Sequence, residues 1–116
     1  MRLRAIAFAA TCALTFLLAT PGSASAIAGE FRYKYIDAAG DTHPDKFSDP
    51  AANDCIDIPQ ADDPETEQSA HSPFNHTGYR AKVFAAPDCE GTAYVLASEG
   101  KGGTDMKFRS FMILPR

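Results

Sequence analysis

The sequence predicts an all-β protein, a small antiparallel β-sandwich with Greek-key connections and one disulfide. Three observations carry that expectation. Apolar and polar residues alternate with a period of two in several short runs. Gly- and Pro-containing turns separate those runs. Beyond one turn in an acidic loop, helix start and stop signals are absent once the N-terminal segment is set aside.

That segment, residues 1–26, reads as a secretory signal peptide. Arg2 and Arg4 form a basic start, Ala5 to Ala19 an apolar stretch, and Pro21-Gly22 a break. Ala24-Ser25-Ala26 supplies the small residues a signal peptidase reads, with Ala26-Ile27-Ala28 as the alternative cleavage frame. The apolar run is shorter than the roughly 20 residues of a spanning helix, so no membrane insertion is expected after cleavage. Cys12 brings a lipoprotein to mind, but no Leu stands three residues before it and the apolar run continues past it. The expected product is one secreted, extracellular domain over residues 27–116.

A domain of about 90 residues buries only some 60–65% of the surface its unfolded chain exposes, so its stability is marginal without a cross-link. Cys55 and Cys89 remain after Cys12 leaves, and a pair in an exported chain is most simply a disulfide. Closing a loop of about 35 residues stabilises by roughly 3–4 kcal/mol in the chain-entropy account. The rival, a two-thiolate metal site, lacks the closely spaced ligands such sites show. No cofactor or metal is expected.

The elements follow in order. Phe31 to Ile36 is the first strand, with Phe31, Tyr33 and Tyr35 on one face and Arg32, Lys34 and Ile36 on the other. Asp37 to Asp41 is hairpin-sized, and Thr42 to Ser48, interrupted by Pro44, is an edge strand with Phe47 turned inward. Cys55 to Pro59 is a strand of four or five residues. Residues 60–78 read as a flexible acidic and polar loop, with Phe74 as its anchor. Ala81 to Ala85 is a strand, and Pro87-Asp88 with Gly91 turns it. In the next run Thr92, Tyr94, Leu96 and Ser98 share a face, opposite Ala93, Val95 and Ala97. Gly100, Gly102 and Gly103 make the following turn, where positive φ is cheap. The last run, Lys107 to Leu114, sets Phe108, Ser110, Met112 and Leu114 against Lys107, Arg109, Phe111 and Ile113. The expected core is Phe31, Tyr33, Tyr35, Phe47, Ile56, Ile58, Val83, Phe84, Tyr94, Leu96, Phe108, Phe111, Ile113 and Leu114.

Charge narrows the partners. Loss of Arg2 and Arg4 moves the formal net charge from −4 to −6. Between Asp37 and Glu67 stand ten acids and one base, Lys46, whereas from Arg80 onward six bases face four acids. With no basic tract, nucleic acid and anionic membranes are not expected partners. The acidic half reads as a solvated surface.

Catalytic signals are few. His43, His71 and His76 are the only histidines, and no spacing fixes them as a metal or acid–base set. Asp62, Asp63, Glu65 and Glu67 lack the order of a calcium loop. Asn75-His76-Thr77 is a glycosylation sequon. No nucleophile elbow, zinc-protease helix or phosphate loop is present.

The stretch from Tyr79 to Leu114 resembles a β/γ-crystallin Greek-key motif. Phe84, the four residues Ala85 to Asp88, Cys89, Glu90 and Gly91 match its hairpin frame, with Cys89 in place of the second aromatic. Asp105 and Ser110 match its downstream pattern, while Met106 and Arg109 stand where that family places ligating residues, which argues against calcium there. The resemblance implies a small two-sheet sandwich. It also points to the protease inhibitors and toxin-like domains found among secreted proteins of that fold.

The expectation for function is a secreted, non-catalytic binding module, a monomer that meets an extracellular protein or surface ligand. Ala86, Pro87, Asp88, His71, Asn75 and His76 are its candidate contacts, within loops 60–78 and 99–105 and the turn beside Cys89. One alternative is an inhibitor of an extracellular protease acting through Ala86-Pro87-Asp88. The other is a small hydrolase using His71 or His76.

Overall fold

The structure is a computed structural model and describes residues 26–65 and 68–115. Apart from Ala26, the expected signal peptide lies outside the described residues.

Strand β1 (Gly29–Ile36) pairs antiparallel with β2 (Thr42–Ser48), from Glu30 opposite Ser48 to Ile36 opposite Thr42. Asp37 closes this hairpin: its Oδ1 accepts the N–H groups of Ala39 and Asp41, each at 2.9 Å. Gly40 supplies the left-handed residue, φ 90°, that the turn needs. On its other edge β1 pairs with β4 (His71–Thr77), completing a three-stranded sheet in the order β2-β1-β4.

The second sheet has the order β3-β7-β5-β6, all antiparallel, from β3 (Ile56–Asp57), β5 (Arg80–Ala86), β6 (Glu90–Leu96) and β7 (Ser110–Leu114). The two sheets meet through aromatic rings. Phe31 of β1 stacks on Phe111 of β7 with centroids 3.9 Å apart, and Phe108 stands edge-on to both Phe31 and Tyr33. Ile58, Ala81, Val83, Leu96 and Ile113 are among the apolar residues packed around them. Each such aromatic contact adds about 0.5–1.5 kcal/mol to the burial of its area.

Cys55 and Cys89 form the expected disulfide, with Cα atoms 5.9 Å apart. It ties the start of β3 to the turn after β5. That turn is held twice more: Asp88 N–H donates to Asp57 Oδ1 at 2.8 Å, and Cys89 N–H donates to Ser110 Oγ at 2.9 Å.

Four elements differ from the expectation. Residues 71–77, read as part of a loop, form β4, and its buried side carries Pro73, Asn75 and Thr77. Polar side chains can line that side because they bond to the chain around them. Asn75 Nδ2 donates to the carbonyls of Tyr79 (2.6 Å) and Ala97 (3.0 Å), and Ser98 Oγ donates to the Thr77 carbonyl (2.6 Å). The segment after β6 then runs alongside β4. Asn75 N–H donates to Gly100 O, and Gly102 N–H to Pro73 O.

The strand at 107–114 is the second difference. Only Ser110–Leu114 belongs to β7, and Phe108 instead pairs with Ala70 through reciprocal 2.9 Å backbone bonds. The chain turns between the sheets there, so Phe108 and Phe111 are both buried despite the alternation that separates them. Third, the strand expected at 55–59 is reduced to Ile56–Asp57, because Pro59 opens a turn of 3₁₀ helix through Ala61. Fourth, Tyr94, expected in the core, is 50% exposed on β6, the outermost strand of its sheet. Tyr35, Phe47, Ile56 and Leu114 are half-buried.

Candidate functional site

The alternation that buries Phe31 and Tyr33 puts Arg32 and Lys34 on the outer face of the three-stranded sheet. Cross-strand pairing extends that face sideways. Lys46 of β2 lies opposite Arg32, Arg32 lies opposite Phe74 of β4, and Phe74 bridges to Lys101 in the segment beyond. A single row therefore crosses the strands: Lys46, Arg32, Phe74, Lys101. Strands in a sheet lie about 4.8 Å apart, so the row is about 14 Å long.

Its groups are held in place by one another. Glu30 Oε1 accepts from Arg32 at 2.6 Å, and Glu30 Oε2 accepts from Lys46 at 2.8 Å. The Lys46 bond first, and the Arg32 bond next, lower the Glu30 carboxyl to about 2. Lys101 Nζ sits 5.0 Å from the Phe74 ring centroid, a cation–π contact, and the His76 ring lies 5.3 Å from the same centroid. A cleft of about 510 Å³ opens beside the row, between Lys34, Pro44, Asp45, Ser72 and Phe74.

The backbone is strained at this cleft. β4 carries one more residue than β1 between the Arg32–Phe74 and Lys34–His71 pairs, a bulge, and Ser72 there has φ 53°. Ser72 N–H donates to Gly103 O at 3.1 Å, and its Oγ lies 2.9 Å from His71 Nδ1. Burial first, then Lys107 and Lys34, lower the His71 pKa, which keeps the ring neutral at pH 7.

The residues expected to make contacts are spread over the molecule. Only His76 is on the row's face, exposed and 2.8 Å from Glu99. Asn75 is fully buried, and His71 is buried as well, so Asn75 serves the framework and its sequon nitrogen is enclosed. His71 and His76 stand five residues apart on one strand, roughly 15 Å, and do not converge. Ala86, Pro87 and Asp88 lie in the other sheet's disulfide-linked turn, where Asp88 and Cys89 are left-handed (φ 61° and 58°). Among the described residues no group of three or more His, Cys, Asp or Glu side chains could hold a metal ion.

Arg32, Lys34 and Lys46 are absent from the sequence-based set of contacts, and Lys101 enters it only as a member of loop 99–105. The outward half of β1's alternation was legible as Arg32-x-Lys34, but their alignment with Lys46, Phe74 and Lys101 depends on strand order. Comparison with family models, curated proteins and solved structures finds no match for this chain.

Proposed function

We propose that this chain is a secreted, non-catalytic binding module whose ligand lies on the outer face of the three-stranded sheet. The carrying observation is the cross-strand row, three cations and an aromatic ring on one rigid surface beside a cleft. Sites built on strands hold their geometry better than sites on loops. The apolar N-terminal stretch and the Cys55–Cys89 bond support export to an oxidising compartment. A binding role is also supported by His71. It touches Ser72, but among the described residues no carboxylate bonds to its ring, so the nucleophile–base pair lacks an orienting third group.

The test has two readouts. Protein recovered from culture supernatant should begin at Ile27 or Gly29. Immobilised protein should retain extracellular material that an Arg32→Glu/Lys101→Glu double variant, equally folded by circular dichroism, releases. Equal retention by both proteins would remove the reading.

A second reading, inhibition of an extracellular protease, draws on the anchored turn at Ala86-Pro87-Asp88. Rigidity of that kind reduces the ordering cost of binding. A panel of extracellular proteases, assayed with the wild type and with Asp88→Ala, decides it.

A further inference from the structure

We infer that the ligand of this face is a linear acidic oligosaccharide, bearing uronate carboxylates or sulfate esters, that lies across the strands along the Lys46–Arg32–Phe74–Lys101 row. The inference rests on the binding reading above and specifies its ligand class.

Charge is the first ground. Of the eight Lys and Arg residues among the described ones, this face holds four: Arg32, Lys34, Lys46 and Lys101. Two carboxylates accompany them, Glu30 and Glu99, since Asp45 lies opposite Tyr33 on the inner side of β2; the remaining described residues set four cations against twelve carboxylates. Half of the described cations of a chain of net negative charge thus lie on one face.

Both local carboxylates are already engaged. Glu30 is shared by Arg32 and Lys46, and Glu99 bonds His76. Neither Lys34 nor Lys101 has a carboxylate partner among the described residues. Their ammonium groups are the ones left for an incoming anion.

Spacing is the second ground. Cations occupy both ends of the row, and the Phe74 ring lies between Arg32 and Lys101. A ligand matching it carries anionic groups separated by an uncharged ring whose C–H face covers Phe74. Repeating acidic sugars have that form. One platform in about 14 Å does not suit single-stranded nucleic acid, which stacks successive bases on successive aromatics. A long polyanion would also run onto the acidic remainder of the surface. For an anionic membrane, the face offers little to insert: Phe74 is half-buried, and the exposed large apolar side chains, Tyr79, Tyr94 and Val95, lie on other strands or turns.

The full disulfide-bonded protein, titrated calorimetrically at low salt, tests this. The probes are a galacturonic acid tetramer, a heparin tetrasaccharide, neutral maltotetraose, an octathymidylate and phosphatidylglycerol vesicles. At least one acidic sugar should bind, the two arms separating carboxylate from sulfate recognition. Lys101→Ala and Phe74→Ala should each weaken it about fivefold. Lys82→Ala, on the other sheet, should leave it unchanged. Should Phe74→Ala fail to fold, the exposed Lys34→Ala variant takes its place with the same expected loss. Binding of neither acidic sugar overturns the inference, as does equal binding of maltotetraose. Stronger binding of the oligonucleotide or vesicles, or indifference to the row variants, does so too. If the double variant abolishes retention of extracellular material while both sugars fail, the face still binds something and only the sugar assignment falls.

Discussion

Phe31 and Phe111 lie face to face, their centroids 3.9 Å apart and their planes 7° from parallel, and they join the two sheets at the centre of the core. Truncation of either ring removes contacts from both sheets together. Phe31→Ala should lower stability by about 3–5 kcal/mol, and Phe31→Leu by less. Tyr94→Ala, half exposed on an outer strand, should stay within about 0.5 kcal/mol of wild type. Urea unfolding of the three proteins checks the order; equal losses for Phe31→Ala and Tyr94→Ala would contradict this packing.

Asn75 is the strongest polar element of the core. Its side-chain nitrogen serves the carbonyls of Tyr79, Leu96 and Ala97, and its Oδ1 accepts from Thr77 Oγ1 at 2.7 Å. Asn75→Ala takes this donor from the three carbonyls, of which Tyr79 O keeps a 3.2 Å bond from Thr77 Oγ1, and should destabilise by about 1–3 kcal/mol. The same enclosure keeps a glycan off the folded chain. Protein made in a glycosylating host and purified in its folded form should have an unmodified mass at Asn75, which peptide mass spectrometry reads directly.

Removing the cross-link tests its share. Cys55→Ala/Cys89→Ala should lose roughly 3–4 kcal/mol, the loop-closure contribution for a sequence separation of 34. Because Asp57 and Ser110 still hold the turn, the row on the other sheet should retain its ligand in whatever fraction remains folded.

Acid should weaken the fold in two windows. Glu30 falls from 4.5 to about 2 on folding, so its pairing stabilises fully above 4.5 and is lost as pH drops from there toward 2. Glu30→Gln should flatten the stability curve over that interval. His71 is depressed from 6.5, so below 6.5 the unfolded chain takes up a proton that the folded ring resists, and stability falls as the pH is lowered. His71→Gln should remove that fall. Melting temperatures measured from pH 8 to pH 2 separate the two. A wild-type curve level from pH 7 to 5 would contradict the His71 environment.

Legibility followed the kind of signal each element carries. β1 was readable because aromatic residues recur at every second position, and β2 because it follows a turn that Asp37 and Gly40 specify and brings Phe47 inward. β4 was not: its buried side is Pro73, Asn75 and Thr77, and a polar inward face has the composition of a loop. What makes it a strand is the supply of carbonyls from 79 and 97, distant in sequence. Phe108 misled for a related reason, since a change of sheet at Arg109 breaks the period of two. The binding face required strand order, because Lys46, Arg32, Phe74 and Lys101 are neighbours only across the sheet. Two of its four cations, Arg32 and Lys34, could be read from one strand; the rest needed register.

Two edge strands of the sandwich, one from each sheet, are unequal. β2 forms the free edge of the first sheet and carries Pro44, which has no N–H to offer, beside the charged Asp45 and Lys46. Such residues discourage a second chain from adding a strand. β6, an edge of the other sheet and far longer than the two-residue β3 at its opposite side, has no proline or lysine, and Tyr94 and Val95 are each 50% exposed. Self-association at high concentration therefore has a preferred direction, through β6. That edge is in the sheet opposite the cationic row, so molecules joined there would leave the row uncovered.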